Sequence, residues 1–202
     1  MGLPLIIFQF VVFIVSVIIH EISHGAVAYW LGDETAYRMG RLTMNPISHI
    51  DPVGSIILPL ILSIPLLFGI QPVIVGWAKP VPYNPNNLKN PKSGAGLIAW
   101  AGPASNLLIA FVFAGLLAFA PASMQIGTAF QYIILINLML AVFNLVPIPP
   151  LDGSKILAAF LPAHSSVIMF IERNSMILLL AFLFFGLSAV QMVVGVLYHL
   201  LV

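Results

Sequence analysis

Residues 4–31 read PLIIFQFVVFIVSVIIHEISHGAVAYWL, an apolar run that carries His20, Glu21 and His24 in its second half. An α-helix needs about 20 apolar residues to cross a hydrocarbon core about 30 Å thick, and this stretch has that length. Ionisable groups in such a helix cost on the order of 2 to 3 kcal/mol each on insertion scales, so three together require a compensating partner. His20 and His24 stand four residues apart, which at 3.6 residues per turn stacks both imidazoles on one face, able to share a metal. Glu21 sits beside them. In the pattern His-Glu-x-x-His the imidazoles take zinc and the carboxylate acts on the attacking water as general base. With a rise of 1.5 Å per residue, His24 lies about 10 Å from the segment's end near Leu31, inside the bilayer and close to one face.

The rest of the chain agrees with a membrane setting. Of 202 residues, 61% are hydrophobic and 6% charged, and the mean hydropathy is +1.11, against roughly a quarter charged in soluble proteins. Apolar stretches recur at 94–121, 127–146 and 175–202, and no alternating pattern of the outer-membrane barrel type appears, which leaves helices. The first stretch lacks a basic start and is too long for a signal peptide, so it is expected to be retained. A net charge of +1 with scattered basic residues excludes a nucleic-acid footprint. The absence of cysteine removes disulfides, thiolate nucleophiles and Cys-based metal sites, leaving His and carboxylates to hold any metal.

Basic residues set the expected topology. They fall at Arg38 and Arg41, at Lys79, Lys89 and Lys92, and at Lys155 and Arg173, whereas the 120–126 connection has none. With basic loops cytoplasmic, the first segment ends inside, and the helices at 94–121 and 127–146 leave and return. Residues 53–75, interrupted by Pro59, Pro65 and Pro72, then start and finish inside and read as a re-entrant or hairpin element, the alternative being an ordinary spanning helix that puts Lys79, Lys89 and Lys92 outside against the charge rule. The expected fold is an all-α polytopic membrane protein of about five to six membrane-embedded helical segments, one of them re-entrant. A small β-hairpin around Met39-Gly40 is expected within 34–52, near the active site. Residues 1–202 read as one domain, with a catalytic core at about 4–160 and a C-terminal membrane helix at about 174–202.

Two histidines under-coordinate zinc, which in catalytic sites takes a third protein ligand and keeps an open position. Asp33, Glu34 and Asp51 belong to a polar loop, and Glu172 adjoins Arg173. Asp152 stands apart: it follows a spanning helix that Pro147, Pro149 and Pro150 break near the inner face. Its alternative is an N-cap aspartate for a short helix at 151–161. His49, His164 and His199 are at no ligand spacing with another histidine and read as loop, helix-end and interfacial residues.

Taken together, His20-Glu21-Ile22-Ser23-His24 and the run from Asn144 through Pro147 and Pro150 to Asp152-Gly153 resemble the site-2 protease family of intramembrane zinc metalloproteases. Gly102-Pro103-Ala104-Ser105-Asn106 is similar to a third, weaker family element at the start of a spanning helix. The resemblance implies one zinc ion held by His20, His24 and Asp152, with Glu21 as general base and a site reached from the cytoplasmic side of the cell membrane. It implies that Asn144 positions substrate or stabilises the oxyanion, the alternative being an amide that packs helices. By the same analogy the hairpin lends an edge strand to an extended substrate. Substrates would be membrane proteins, single-pass ones by resemblance, and self-association is left open. No segment fits a PDZ or CBS domain, so the chain reads as a minimal member. Two rival classes are a membrane metal transporter or metal-binding protein and a non-catalytic scaffold; the first predicts more intramembrane ligands, and the second leaves the buried charges unexplained.

Overall fold

The computed structural model describes residues 3–57, 61, 78–119, 124–162 and 165–202. The first helix, α1 (Leu3–Trp30), buries Ser16, His20, His24 and Ala28 along one stripe of four-residue spacing, while Phe10 and Phe13 face outward. That split follows from the solvent: aliphatic and aromatic side chains can face lipid, so the stripe turned toward the other helices is the polar and small-residue one. Past Trp30 the chain closes with the Asp33 N–H donating to the Ala28 carbonyl, and a short helix, α2 (Thr35–Arg38), follows.

The central helix, α3 (Pro91–Ala118), starts with Pro91 in its first turn, and the Asn90 side chain caps it by accepting from the Ser93 N–H. Gly94, Ala99, Gly102, Ala110 and Ala114 lie on its buried side, small residues that let neighbouring backbones approach. Around it pack α1, α4 (Met124–Asn144) and α5 (Asp152–Phe160). A surface helix, α6 (Ser166–Arg173), capped by Ser165, leads to α7 (Ser175–Leu201), which contains one wide π-helical turn at Phe182–Gly186. Ala110 and Ala114 of α3, Ile134 and Leu138 of α4, and Val190 and Val194 of α7 form one buried apolar cluster.

Among the described residues, four helices are long and apolar enough to cross a membrane: Leu3–Trp30, Pro91–Ala118, Ile126–Asn144 and Ser175–Leu201. The described residues are therefore all-helical with four candidate spans, against the five to six segments expected. Most of the expected re-entrant element at 53–75 lies outside the described residues; its beginning, Pro52–Ile57, is a wide helical turn.

The expected β-hairpin within 34–52 is replaced by helical turns, and there is no strand among the described residues. Local bonds explain the difference. Asp33 Oδ1 accepts from the Thr35 N–H and hydroxyl, the Met39 N–H donates to the Thr35 carbonyl, and the Arg41 N–H donates to the Ala36 carbonyl. Asn45 then caps a 3-10 turn, Pro46–His49, by accepting from the Ile47 N–H. With donors already satisfied locally, the short Thr/Tyr/Leu/Thr alternation has no ladder to join.

Candidate metal centre

Helix α1 projects His20 and His24 from successive turns of its buried face, and α5 brings Asp152 to them from 132 residues downstream. Asp152 Oδ2 lies 3.1 Å from His20 Nε2 and 3.2 Å from His24 Nε2, and the two Nε2 atoms are 3.0 Å apart. All three residues are buried. Asp152 occupies the first turn of α5, but its carboxylate turns to the histidines and makes no cap for its own helix. Prolines at 147, 149 and 150 end α4 and let the chain double back so that this first turn faces α1.

The other ring nitrogens decide what these atoms can bind. His24 Nδ1 donates to the Ile98 carbonyl at 2.6 Å, and His20 Nδ1 donates to Asn106 Oδ1 at 2.6 Å. A neutral imidazole with its proton on Nδ1 presents a bare lone pair at Nε2. In that neutral form two lone pairs and a carboxylate oxygen converge within 3.2 Å. Like-polarised donors are stable at that spacing when a cation sits among them, and a His-His-Asp set matches zinc in kind and number. Among the described residues, these three form the one cluster of metal-ligating side chains.

Space for the cluster comes from Gly102 of α3. A Cβ there would stand 2.5 Å from His20 Nε2 and 2.5 Å from His24 Nε2, so only a glycine lets α3 lie directly against the imidazoles.

Glu21 is half-buried beside the cluster, and its Oε2 accepts from the Val81 N–H at 2.8 Å. Val81 belongs to a strap without helix or strand, residues 78–82, that is tied down on both sides. The Lys79 N–H donates to the His49 carbonyl, and the buried Arg41 guanidinium donates to the Lys79 carbonyl at 2.8 Å. Gly25, the residue after His24, permits this approach: a Cβ there would meet Val81 Cγ1 at 2.9 Å. Further along, Asp33 accepts from the Asn84 N–H and from Asn87 Nδ2, and Lys155 of α5 lies over the Tyr83 ring. Burial pushes the Asp33 carboxyl up, but its donors Thr35, Asn87 and Asn84 outweigh that and hold it below its ordinary value.

Asn144 is half-buried at the end of α4, and its amide donates back to the Leu140 carbonyl. His49 is buried in the strap support, where its Nε2 donates to the Thr43 carbonyl, and His199 lies near the end of α7. His164 lies outside the described residues. The residues left without a role by sequence reasoning are Ser16, Asn106 and Asn137, which form a buried polar chain behind His20, and Arg41 and Val81, which position the strap. Isolated amides within apolar helices were the available signal for the first group.

The model of peptidase family M50 matches residues 120–188, which include Asp152. "Putative zinc metalloprotease YwhC" of Bacillus subtilis is 39% identical over 169 residues, 79% of this chain and 72% of that protein. The chain belongs to peptidase family M50. A second relative, "Putative zinc metalloprotease MJ0611" of Methanocaldococcus jannaschii, is 35% identical over 74% of this chain and 72% of that protein. "Putative zinc metalloprotease Rip2" of Mycolicibacterium smegmatis is 29% identical over 69% of this chain, and the match spans 52% of that longer protein. No solved structure matches. As an M50 peptidase with four apolar helices, the protein is a multi-pass membrane zinc metalloprotease, a hydrolase, and its metal is zinc. The transporter and scaffold alternatives give way to that membership.

Proposed function

We propose that this M50 peptidase hydrolyses peptide bonds in or near transmembrane segments of single-pass membrane proteins, as in regulated intramembrane proteolysis, with His20, His24 and Asp152 holding zinc and Glu21 as general base. The carrying observation is the convergence of three bare electron-pair donors inside a spanning helix bundle, with Glu21 beside them on α1. Zinc held there supplies Lewis acidity toward the scissile carbonyl and lowers the pKa of a water that attacks it. Glu21 takes the proton of that water and delivers it to the leaving amine. Both imidazoles keep their Nδ1 protons on fixed oxygen acceptors, which holds the lone pairs of Nε2 on the metal. Asn144, beyond the cluster at the end of α4, is assigned to substrate positioning or oxyanion stabilisation.

The distribution of basic residues supports an orientation in the cell membrane with the C-terminal end of α1, the strap and the start of α5 on the cytoplasmic side. One domain spanning 1–202, with its core at about 4–160, accords with α7 packing into the same apolar cluster as α3 and α4.

The test compares wild type with Glu21→Gln, both purified in detergent, for bound zinc and for cleavage of a model transmembrane substrate. Zinc retained with cleavage reduced by about 10²-fold or more is the expected result. A wild type without zinc, or a variant that cleaves equally well, overturns the assignment.

A further inference from the structure

Behind His20 lies a run of side-chain hydrogen bonds whose direction is set at one end by a backbone carbonyl. Asn137 of α4 is fully buried, and its Nδ2 donates to the Ile133 carbonyl at 2.9 Å and to Ser16 Oγ at 3.0 Å. A carbonyl can only accept, so this end of the amide is Nδ2 and the Oδ1 end must point away. Asn137 Oδ1 accepts from Asn106 Nδ2 at 2.9 Å, and the same Nδ2 reaches the Ser16 carbonyl at 3.4 Å. Asn106, also fully buried, is thereby oriented with its Oδ1 toward His20 Nδ1 at 2.6 Å. Helices α1, α3 and α4 each contribute to this chain, and it ends on an atom whose protonation decides whether Nε2 can bind metal.

We propose that Asn137, braced by Ser16, is a positioning residue that acts through Asn106 to fix the His20 tautomer and so its capacity to hold zinc. An asparagine amide is nearly symmetric in shape, so Asn106 on its own has two orientations of similar fit. Turned over, it would place an NH₂ against His20 Nδ1, which then has to accept, and the ring proton moves to Nε2, where it blocks ligation. Asn137 Oδ1 at 2.9 Å, with the more distant Ser16 carbonyl at 3.4 Å, removes that second orientation, because both oxygens would then face the Asn106 Oδ1. Neither Asn137 nor Ser16 lies within the motifs that mark the family resemblance, and Asn137 is separated from His20 by an intervening side chain. The inference rests on the reading of His20 as a ligand.

The experiment measures zinc affinity of the full chain in detergent by competition with a chromophoric chelator, the ligand-field spectrum after cobalt loading, and kcat and KM on a transmembrane substrate. Asn137→Leu is expected to lower zinc affinity by about 10–100-fold and to alter the cobalt spectrum, lowering kcat with KM unchanged. Asn106→Asp, whose two oxygens are equivalent acceptors for His20, is expected to restore affinity when added to Asn137→Leu, because the amide direction no longer matters. Wild-type affinity in Asn137→Leu, or no restoration in the double variant, overturns the proposal. If Asn137→Leu does not fold, Asn137→Ala carries the same pair of measurements. His20→Ala separates the two levels: undiminished zinc in that variant overturns the ligand reading itself, whereas zinc lost there but kept in Asn137→Leu overturns only the tautomer role.

Discussion

At Gly102 a single methyl group would stand 2.5 Å from the Nε2 atoms of both His20 and His24. Gly102→Ala therefore has to push either α3 or the imidazoles aside, and zinc affinity, read by chelator competition, is expected to fall by about 10–100-fold with helix content unchanged. Asp152→Ala removes the one anionic donor of the set and is expected to leave too little zinc to measure after dialysis. The residues involved differ in how far they can be read without coordinates. His20, Glu21 and His24 are legible as candidates because their spacing is local and three ionisable groups in an apolar helix are costly without a partner, which a chance match of five residues does not supply. Asp152 is legible as a candidate because prolines stop α4 just before it, although the N-cap alternative closes only when its carboxylate is seen 3.1 Å from His20. Asn137 has no such mark. A single amide in a spanning helix can serve packing, a cavity or a ligand, and its partners Ser16 and Asn106 lie 121 and 31 residues away.

At the scale of elements, the strap at 78–82 depends on contacts that no local pattern announces. Val81 reaches Glu21 across 60 residues and Arg41 reaches Lys79 across 38. Arg41→Ala is expected to release this strap while leaving zinc content intact, seen as about 10-fold or faster amide exchange at Lys79 and Val81. The misread hairpin has the same origin: residues 34–50 look extended until the caps supplied by Asp33 and Asn45 are known, and both carboxylate and amide act over two or three residues. Asp33 also anchors the strap's far end through Asn84 and Asn87. Its pKa is lower folded than unfolded, where it is about 3.9, so its stabilisation is complete above that value and is lost as pH falls through the folded value. The thermal unfolding temperature in detergent is expected to fall below about pH 4, and Asp33→Asn is expected to remove that part of the pH dependence.

For the whole molecule, hydropathy suggests about five to six membrane segments, of which four stand as candidate spans among the described residues, but how they pack could not be drawn, because most faces of these helices are apolar enough to meet lipid. What selects the inward faces is the small-residue stripe of α3 and the polar stripe of α1. Orientation is testable without background, since the chain has no cysteine. With Met39→Cys beyond α1 and Phe119→Cys at the far end of α3, both exposed, a membrane-impermeant thiol reagent is expected to label the first from the cytoplasmic face and the second from the opposite one. The two Nδ1 contacts carry a further meaning as a matter of charge. Both acceptors, an amide oxygen and a peptide oxygen, are uncharged and add no charge to the pocket, so the carboxyl-bearing side chains at the centre are Asp152 and Glu21 alone. A divalent zinc held by the proposed ligands would be matched in charge by those two carboxylates, in a medium where net charge is costly. Metal uptake and the seating of the bundle in the bilayer would then be coupled, since emptying the site changes the charge or the proton count of a pocket that lipid surrounds.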